Sequence, residues 1–532
     1  METLVVQFLQ VQKLLSSAQW HEKMGLLVVV MTFLTIIVHQ LIVRRSILLP
    51  PGPWMWPLVG VIPFLGSLPH QALAHLAQQY GPLMYVRFGS TPCIVVSSSM
   101  LAEKFLKTHD QVFQNRPKTL VGKVFNLDNA IALSSGPHWR HLRKICSTQL
   151  FTPTCIQSFE VVRKNEISLI MNEIYVEANA SKVVNLKYHM SAIATNSSAQ
   201  MIFSKRFYGT EESRHQELQD FKDHFQNVMF WLGAFIIGDH IPSLKWLTKL
   251  QGVEAKMQKL DEKLTKSFQR LLDEHAKATP NTRDSKNDDL PKDFMDVLLK
   301  MPSEDGTGSL PLCTLKPLVM FDLLGAGTDT TSILLEWAMA ELMQNPEIMK
   351  QAQTELDTVV GIDRVVQESD IQQLRLLQAI IKETFRLHPP TPLLLPHQTN
   401  EAWQSVEGYN LPPKTQLLVN VWAIGRDPNN WERPLEFDPT RFMQDPKIDV
   451  TCQDFRLLPF GSGRRACPGR VLGILLLHII LARLLQSFDW YIPEKQGPNG
   501  LDMSEKSNGI NNIKSQVLLA RAHPRLPSHL YE

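Results

Sequence analysis

The chain is poor in cysteine and in net charge, and each shortage narrows its chemistry. Six cysteines in 532 residues (Cys93, Cys146, Cys155, Cys313, Cys452 and Cys467) are scattered, with no CxxC or other metal-like spacing. So few thiols in so long a chain argue against a disulfide scaffold and for a reducing compartment. Lysine and arginine number 54 against 52 acidic residues, a net charge of +2, which gives no support for nucleic-acid binding. Internal repeats and low-complexity tracts are absent. What remains is 44% hydrophobic residues with 20% charged, ample for a large buried core. Length divided by ~150 gives a prior of about three domains. Asn179-Ala-Ser181 and Asn196-Ser-Ser198 match the glycosylation sequon and are expected to be unmodified in a cytosolic body.

Met24 to Val43 is an apolar run broken only by Thr32, Thr35, His39 and Gln40. At ~1.5 Å per residue it just spans a hydrocarbon core of ~30 Å. Arg44-Arg45 follow, and the positive-inside preference puts them in the cytosol. A cleavable signal peptide is the weaker reading, because no small-residue cleavage site follows the run. The expected organisation is therefore a short lumenal N-terminus (1–23), a transmembrane anchor (24–43), a basic and proline-rich hinge (44–53) and one cytosolic catalytic domain (54–532). Leu49-Pro50-Pro51-Gly52-Pro53 supplies the stiff part of the hinge.

Leu83 to Val96 reads as two strands about a Gly89-Ser90 turn. Helical periodicity then dominates from Met100 for most of the chain, and strand-like segments return near Val406–Tyr409, Thr415–Val421 and Val517–Ala520. His275 to Asp289 reads as an exposed loop. The expected fold is mostly α with a small β part drawn from both ends of the sequence. Phe230 to Ile237 (FWLGAFII) is apolar throughout, either the end of a core helix or a roof over a greasy pocket.

Chemistry concentrates in a few stretches. In Phe460 to Gly469 (FGSGRRACPG), Cys467 sits between Gly461 and Gly463 on one side and Pro468-Gly469 on the other, just before the apolar run Val471 to Phe488. Glycines permit a tight bend and close approach to a ligand. A proline in the first turn of a helix, whose N-terminus would stabilise a thiolate, fits the residues after Cys467. The longest helical pattern, Lys316 to Gln344, ends before Asn345-Pro346 and carries poor helix formers at its centre, Gly325-Ala-Gly-Thr-Asp-Thr-Thr-Ser332. Two glycines there cost roughly 1 kcal/mol each against alanine, so the helix should be loosened around a groove for a small ligand. Asp329 and Thr330 would deliver protons to it. Glu383 and Arg386 lie i,i+3 in an apolar surrounding, which argues for a buried ion pair needing further partners. Trp431 to Phe442 could supply one. Trp139 and Arg143, spaced i,i+4, could both donate to one acidic ligand group.

These stretches, in this order, resemble the cytochrome P-450 family of haem–thiolate monooxygenases from roughly Leu49 to Leu526. Phe460-x-x-Gly463-x-Arg465-x-Cys467-x-Gly469 is similar to the family's haem-binding loop, which implies Cys467 as the axial ligand of haem b. The resemblance implies a structural ion-pair triad of Glu383, Arg386 and Arg441, an oxygen-activation groove at Ala326 to Thr330, and haem-propionate contacts from Trp139, Arg143, Arg465 and His397. It also implies O2 as co-substrate and electrons from NADPH through a membrane-bound reductase in the endoplasmic reticulum, with cytochrome b5 as a second possible donor. Lys144, Arg464 and Arg470 would be docking charges. Leu-Pro-Pro-Gly-Pro, Ala-Gly-Thr-Asp-Thr-Thr and Phe-Gly-Ser-Gly-Arg-Arg together look most like the plant group that makes specialised metabolites.

An isomerase or dehydratase working without a reductase would not need Thr330 or Asp329, and a haem sensor would show a damaged groove. Both motifs stand intact. The expected pocket wall draws on Phe321, Gly325, Ala326, Leu393, Leu394 and Ile510, with parts of Val112–Ala132 and Met229–Ile237. A small hydrophobic substrate follows, and phenylpropanoid, flavonoid, terpenoid, fatty-acid and amino-acid-derived molecules remain open.

Overall fold

The computed structural model describes residues 24–25, 27–28, 30–31, 48–208, 224, 227–278, 293–451, 453–493 and 500–531. Of the expected anchor, the described residues Met24, Gly25, Leu27, Val28, Val30 and Met31 are helical, and the remainder lies outside the described residues. Two other helices, Leu312–Gln344 and Arg470–Ser487, are long and apolar enough to cross a membrane, but both are mostly buried against protein and serve as core helices.

Helices dominate. Those that matter for the site are α1 (Pro69–Tyr80), α2 (Gly136–Ile145), α3 (Glu160–Asn179), α4 (Leu186–Phe203), α5 (Val253–Ala278), α6 (Leu312–Gln344), α7 (Pro346–Val359), α8 (Arg375–Leu387) and α9 (Arg470–Ser487). Helix α6 is buried on nearly every side because its neighbours α4, α8 and α9 are themselves apolar and pack along it. It ends at Gln344 with Asn345 as its cap, and Pro346 opens α7, where its missing N–H costs no helix hydrogen bond. In α4, Asn196 is fully buried. Its amide donates to Glu166 Oε2 and the Tyr208 carbonyl, and it accepts from the Phe207 and Tyr208 N–H groups.

The β part begins with β1 (Leu83–Phe88) and β2 (Thr91–Val96), antiparallel with Leu83 opposite Val96 about the Gly89-Ser90 turn. Parallel to β2 runs β7 (Gln416–Val419), and β4 (His397–Gln398) closes the four-stranded sheet against β7. Between them, β5 (Trp403–Val406) and β6 (Tyr409–Leu411) make a hairpin. A second sheet orders β3 (Val184–Asn185), β11 (Leu519–Pro524) and β8 (Phe488–Tyr491). A last hairpin pairs β9 (Glu505–Asn508) with β10 (Asn511–Lys514) about Gly509-Ile510.

Sequence periodicity missed β3, β4, β8 and the β9–β10 hairpin. The first two are only two residues long, and β9–β10 is polar on both faces, so neither presents an alternating pattern. The expected loop from His275 needs correction. Helix α5 continues through Ala278, with His275 buried against Asp293, and the rest of that loop lies outside the described residues. The hinge residue Pro51 accepts from the Tyr85 N–H, which ties the proline-rich segment to β1.

Candidate active site

The cysteine loop is shaped by what surrounds it. Gly463 sits at φ +66°, and a β-carbon there would stand 2.0 Å from the Leu106 carbonyl oxygen. Only glycine fits, yet the close approach is to the protein's own backbone, and Gly463 does not line the cavity described below. The Cys467 N–H donates to the Phe460 carbonyl at 2.9 Å, closing the loop. Pro468 precedes the helix instead of occupying its first turn: α9 begins at Arg470, with Gly469 as its cap. Burial pushes the Cys467 thiol up. The Gly469 N–H, Arg143 and Arg470 work against that by favouring the thiolate.

This loop forms one wall of a cavity of about 1880 Å³, solvent at its mouth included. Phe460, Arg465, Cys467 and Gly469 line it, as do Trp139, Arg143 and His397, and Asp329 and Thr330 from α6. Of the expected pocket residues, Phe321, Gly325, Ala326, Leu394 and Ile510 line it too. Leu393 does not. Leu393 and Leu394 both pack on the core beneath the four-stranded sheet, and Leu394, whose φ is +53°, also reaches the cavity.

One part of the wall is cationic. Arg465 donates to the carbonyls of Gln114 (2.7 Å) and Ser134 (2.7 Å), and stacks over the Trp139 ring at 4.3 Å. Arg143 donates to the Ala466 carbonyl at 2.6 Å. His397 donates its Nδ1 proton to the Phe113 carbonyl at 2.8 Å, and burial, with Arg116 and Arg465 nearby, holds the imidazole neutral. Arg116 belongs to this group and was not singled out from the sequence. It is buried, lines the cavity, and donates to the carbonyls of Ala132, Leu395 and Pro396. Burial and the like charge of Arg465 lower its guanidinium to about 9. Asn115-Arg116-Pro117 carries no periodic or motif signal, so only tertiary packing reveals it.

These donors fit a haem. Among the described residues, Arg116 Nη2 and the Trp139 indole N–H have no protein partner. Arg116 is buried and Arg143 and Arg465 are half-buried on this wall, and an anionic group, such as a propionate, would compensate their gathered charge. A thiol shares the same space.

Helix α6 loosens, though one turn earlier than the weak formers suggest. Leu318–Gly325 is a π segment, entered through Pro317, which has no N–H to give. The stretch Ala326–Ser332 is regular α, and its threonine hydroxyls turn back onto helix carbonyls. Thr328 donates to Leu324, Thr330 to Ala326 and Thr331 to Gly327, each at 2.7–2.8 Å. Asp322, in the π segment, also lines the cavity. It accepts from the N–H groups of Ile131 (2.5 Å) and Ala132 (3.2 Å), and burial raises its carboxyl to about 7.

A buried ion pair braces the surrounding frame. Arg386 and Glu383 are both buried and meet bidentately at 2.6 and 2.7 Å. The remaining Arg386 donors go to the carbonyls of Gly425, Pro434 and Glu436, so every guanidinium N–H is used. Arg441 Nε joins at 3.1 Å to Glu383 Oε1, which also accepts from the Asp438 N–H at 2.8 Å.

Of the expected docking charges, Lys144 is exposed, Arg470 half-buried, and Arg464 exposed but paired with Asp110 at 3.2 Å. In the segment Phe230 to Ile237, Phe230 and Phe235 are exposed and Ile236 is buried, while Met229 just before it lines the cavity. The segment crosses the β9–β10 turn so closely that a β-carbon on Gly509 (φ +66°) would lie 1.9 Å from the Met229 carbonyl.

A buried cysteine loop facing a buried helix across one large apolar cavity with a cationic margin defines a haem–thiolate pocket. The chain belongs to the cytochrome P450 family, whose family model matches residues 50–518. It is similar to a flavonoid 3'-monooxygenase of Crocosmia x crocosmiiflora, 39% identical over 505 residues covering 93% of this chain and 97% of the relative. A flavonoid 3',5'-hydroxylase of Eustoma exaltatum subsp. russellianum is 40% identical, covering 91% and 92%. Among solved structures, a zebrafish cytochrome P450 determined with abiraterone superposes with a TM-score of 0.69 at 25% identity, over 86% of this chain and all of that one. The protein is a P450 monooxygenase, and its family implies a haem held by a cysteine thiolate.

Proposed function

We propose that the protein is a membrane-anchored monooxygenase that hydroxylates a small aromatic substrate of the phenylpropanoid or flavonoid class. The observation that carries this reading is that Cys467, the unpartnered donors of Trp139 and Arg116, and the Asp329-Thr330 pair line a single cavity. The flavonoid-hydroxylating relatives support the substrate class, and terpenoids are the alternative. Anchor 24–43, hinge 44–53 and catalytic domain 54–532 are the proposed divisions, with the body on the cytosolic side of the endoplasmic reticulum.

Cys467 would hold the iron, and Arg116, Trp139, Arg143, His397 and Arg465 the propionates. Phe460, Gly463 and Gly469 shape the loop that presents the thiolate. When bound, the haem supplies the activation of O2 and the oxidation of the substrate, with electrons drawn from NADPH through a reductase. Glu383, Arg386 and Arg441 keep the surrounding frame rigid. Phe321, Gly325, Ala326, Leu394 and Ile510 would orient the substrate and exclude water. Thr330 holds a proton at Oγ1 and Asp329 would resupply it. Lys144, Arg464 and Arg470 would meet the reductase, and cytochrome b5 is a further candidate partner.

Reduced protein under carbon monoxide should absorb at about 450 nm, and Cys467→Ala should abolish that band. With reductase and NADPH, a panel of flavonoids, hydroxycinnamates and terpenoids should yield hydroxylated flavonoid or phenylpropanoid. Turnover of terpenoids alone would refute the substrate class, and an absent band would refute the whole reading.

A further inference from the structure

A second cavity lies between α3, α9 and residues 365–368, built from residues the main site does not use. It offers about 640 Å³, mouth included, and its walls are mainly apolar, with Ile167, Val366 and Ile479 among them. The walls are held firmly. Gln486 on α9 accepts from the Val366 N–H at 2.9 Å and donates to the carbonyls of Gly361 (3.0 Å) and Arg364 (2.8 Å).

Arg483 lines this cavity, three residues before that clamp. It is 3% exposed, yet among the described residues it has no hydrogen-bond partner and no ion pair, and its Nη1 is wholly buried. A buried guanidinium with nothing to donate to is costly. The neighbouring Arg163 shows the alternative: equally buried, it is met bidentately by Glu368 at 2.6 and 2.7 Å and donates to the Ile156 carbonyl. Glu368 is paired with Arg163 there, and no hydrogen bond or ion pair joins it to Arg483. The remaining charged groups at the cavity, Glu160 and Lys164, are opposite in sign and form no ion pair with each other. One positive charge is left, on Arg483, beside the apolar wall.

We propose that this cavity is a second ligand site that takes a small organic monocarboxylate. The carboxylate would be the counter-charge to the Arg483 guanidinium, with Lys164 and Ser168 at the edge, and the apolar body would lie on Ile167, Val366 and Ile479. Inorganic phosphate fits poorly, because the apolar wall cannot replace its hydration or balance a second charge.

The test uses the full-length haem-loaded protein, following thermal unfolding by tryptophan fluorescence while the haem Soret band reports binding in the main cavity. Hexanoate should raise the unfolding midpoint saturably at an unchanged Soret band, whereas hexanamide, chloride and phosphate should not. Arg483→Met should keep the band at about 450 nm and weaken hexanoate at least about tenfold, the worth of a charge-assisted hydrogen bond. Lys164→Gln, at the exposed mouth, should weaken it a few-fold and serves if Arg483→Met does not fold. The proposal is overturned by no saturable effect of hexanoate, by an equal effect of hexanamide or phosphate, or by an effect that shifts the Soret band and survives both substitutions.

Discussion

The hydroxyl of Thr330 donates to the Ala326 carbonyl at 2.7 Å, one turn back along α6, at the wall of the main cavity. The proton is thus committed to the helix while the oxygen lone pairs stay free to accept. Thr330→Ala removes both the stored proton and the acceptor. Product formed per NADPH consumed should fall on the order of tenfold, with NADPH consumption maintained, and Thr330→Ser should restore most of the coupling. Equal coupling in Thr330→Ala and wild type would remove the hydroxyl from the proton path.

Gly463 allows the cysteine loop to lie against Leu106. Adding a methyl group meets the Leu106 carbonyl at 2.0 Å and a positive φ together. Gly463→Ala should cost on the order of 4 kcal/mol or more, seen as loss of haem incorporation and of the band at about 450 nm. Gly469→Ala should be mild, since a β-carbon there meets only the Phe151 ring edge at 3.9 Å.

Glu383 serves Arg386, Arg441 and the Asp438 N–H at once. Glu383→Ala leaves a buried guanidinium uncompensated, at a cost of about 3–5 kcal/mol. Soluble, haem-loaded protein should be nearly absent on expression. Arg441→Ala, which loses the more exposed and longer contact, should retain a measurable fraction. Comparable yields of the two variants would contradict this ranking.

His275 gives stability a pH dependence. Its hydrogen bond to Asp293 raises its pKa above the ordinary value, aided by the charges of Asp293 and Asp296 and opposed by burial and Lys205. A raised folded-state pKa adds stability that is complete below the unfolded value of about 6.5 and is lost as pH rises through the folded value. The unfolding midpoint of wild type should exceed that of His275→Gln most in mildly acidic buffer, and the gap should narrow as pH climbs past neutral. A gap that widens with pH would show that the pair is held by something other than this charge.

Legibility in the sequence followed the range of each interaction. Glu383 and Arg386 could be paired because i,i+3 spacing on one helix places them together, and the strands β1 and β2 because a tight turn with apolar flanks is a local signal. The loosening of α6 was legible in kind but not in place. The weak formers Gly327 to Ser332 keep regular α geometry, and the π segment falls in the apolar stretch before them, where nothing in the pattern marks it. Leu393 and Leu394 look alike in sequence and both pack on the core beneath the sheet, yet only Leu394 also lines the cavity.

By itself the sequence determined the family, the cysteine that faces the cavity and the helix that faces it with Asp329 and Thr330, because these rest on residue types at short, fixed spacings. Tertiary structure alone decided that Arg116 joins Arg143, Arg465 and His397 on one cationic wall, since these residues come from four distant segments. It alone decided that Asp322 shares their cavity and that Arg483 is left without a partner in a second one. Burial, not composition, makes those charges matter: in water each would be solvated and unremarked, whereas inside the protein each requires a counterpart.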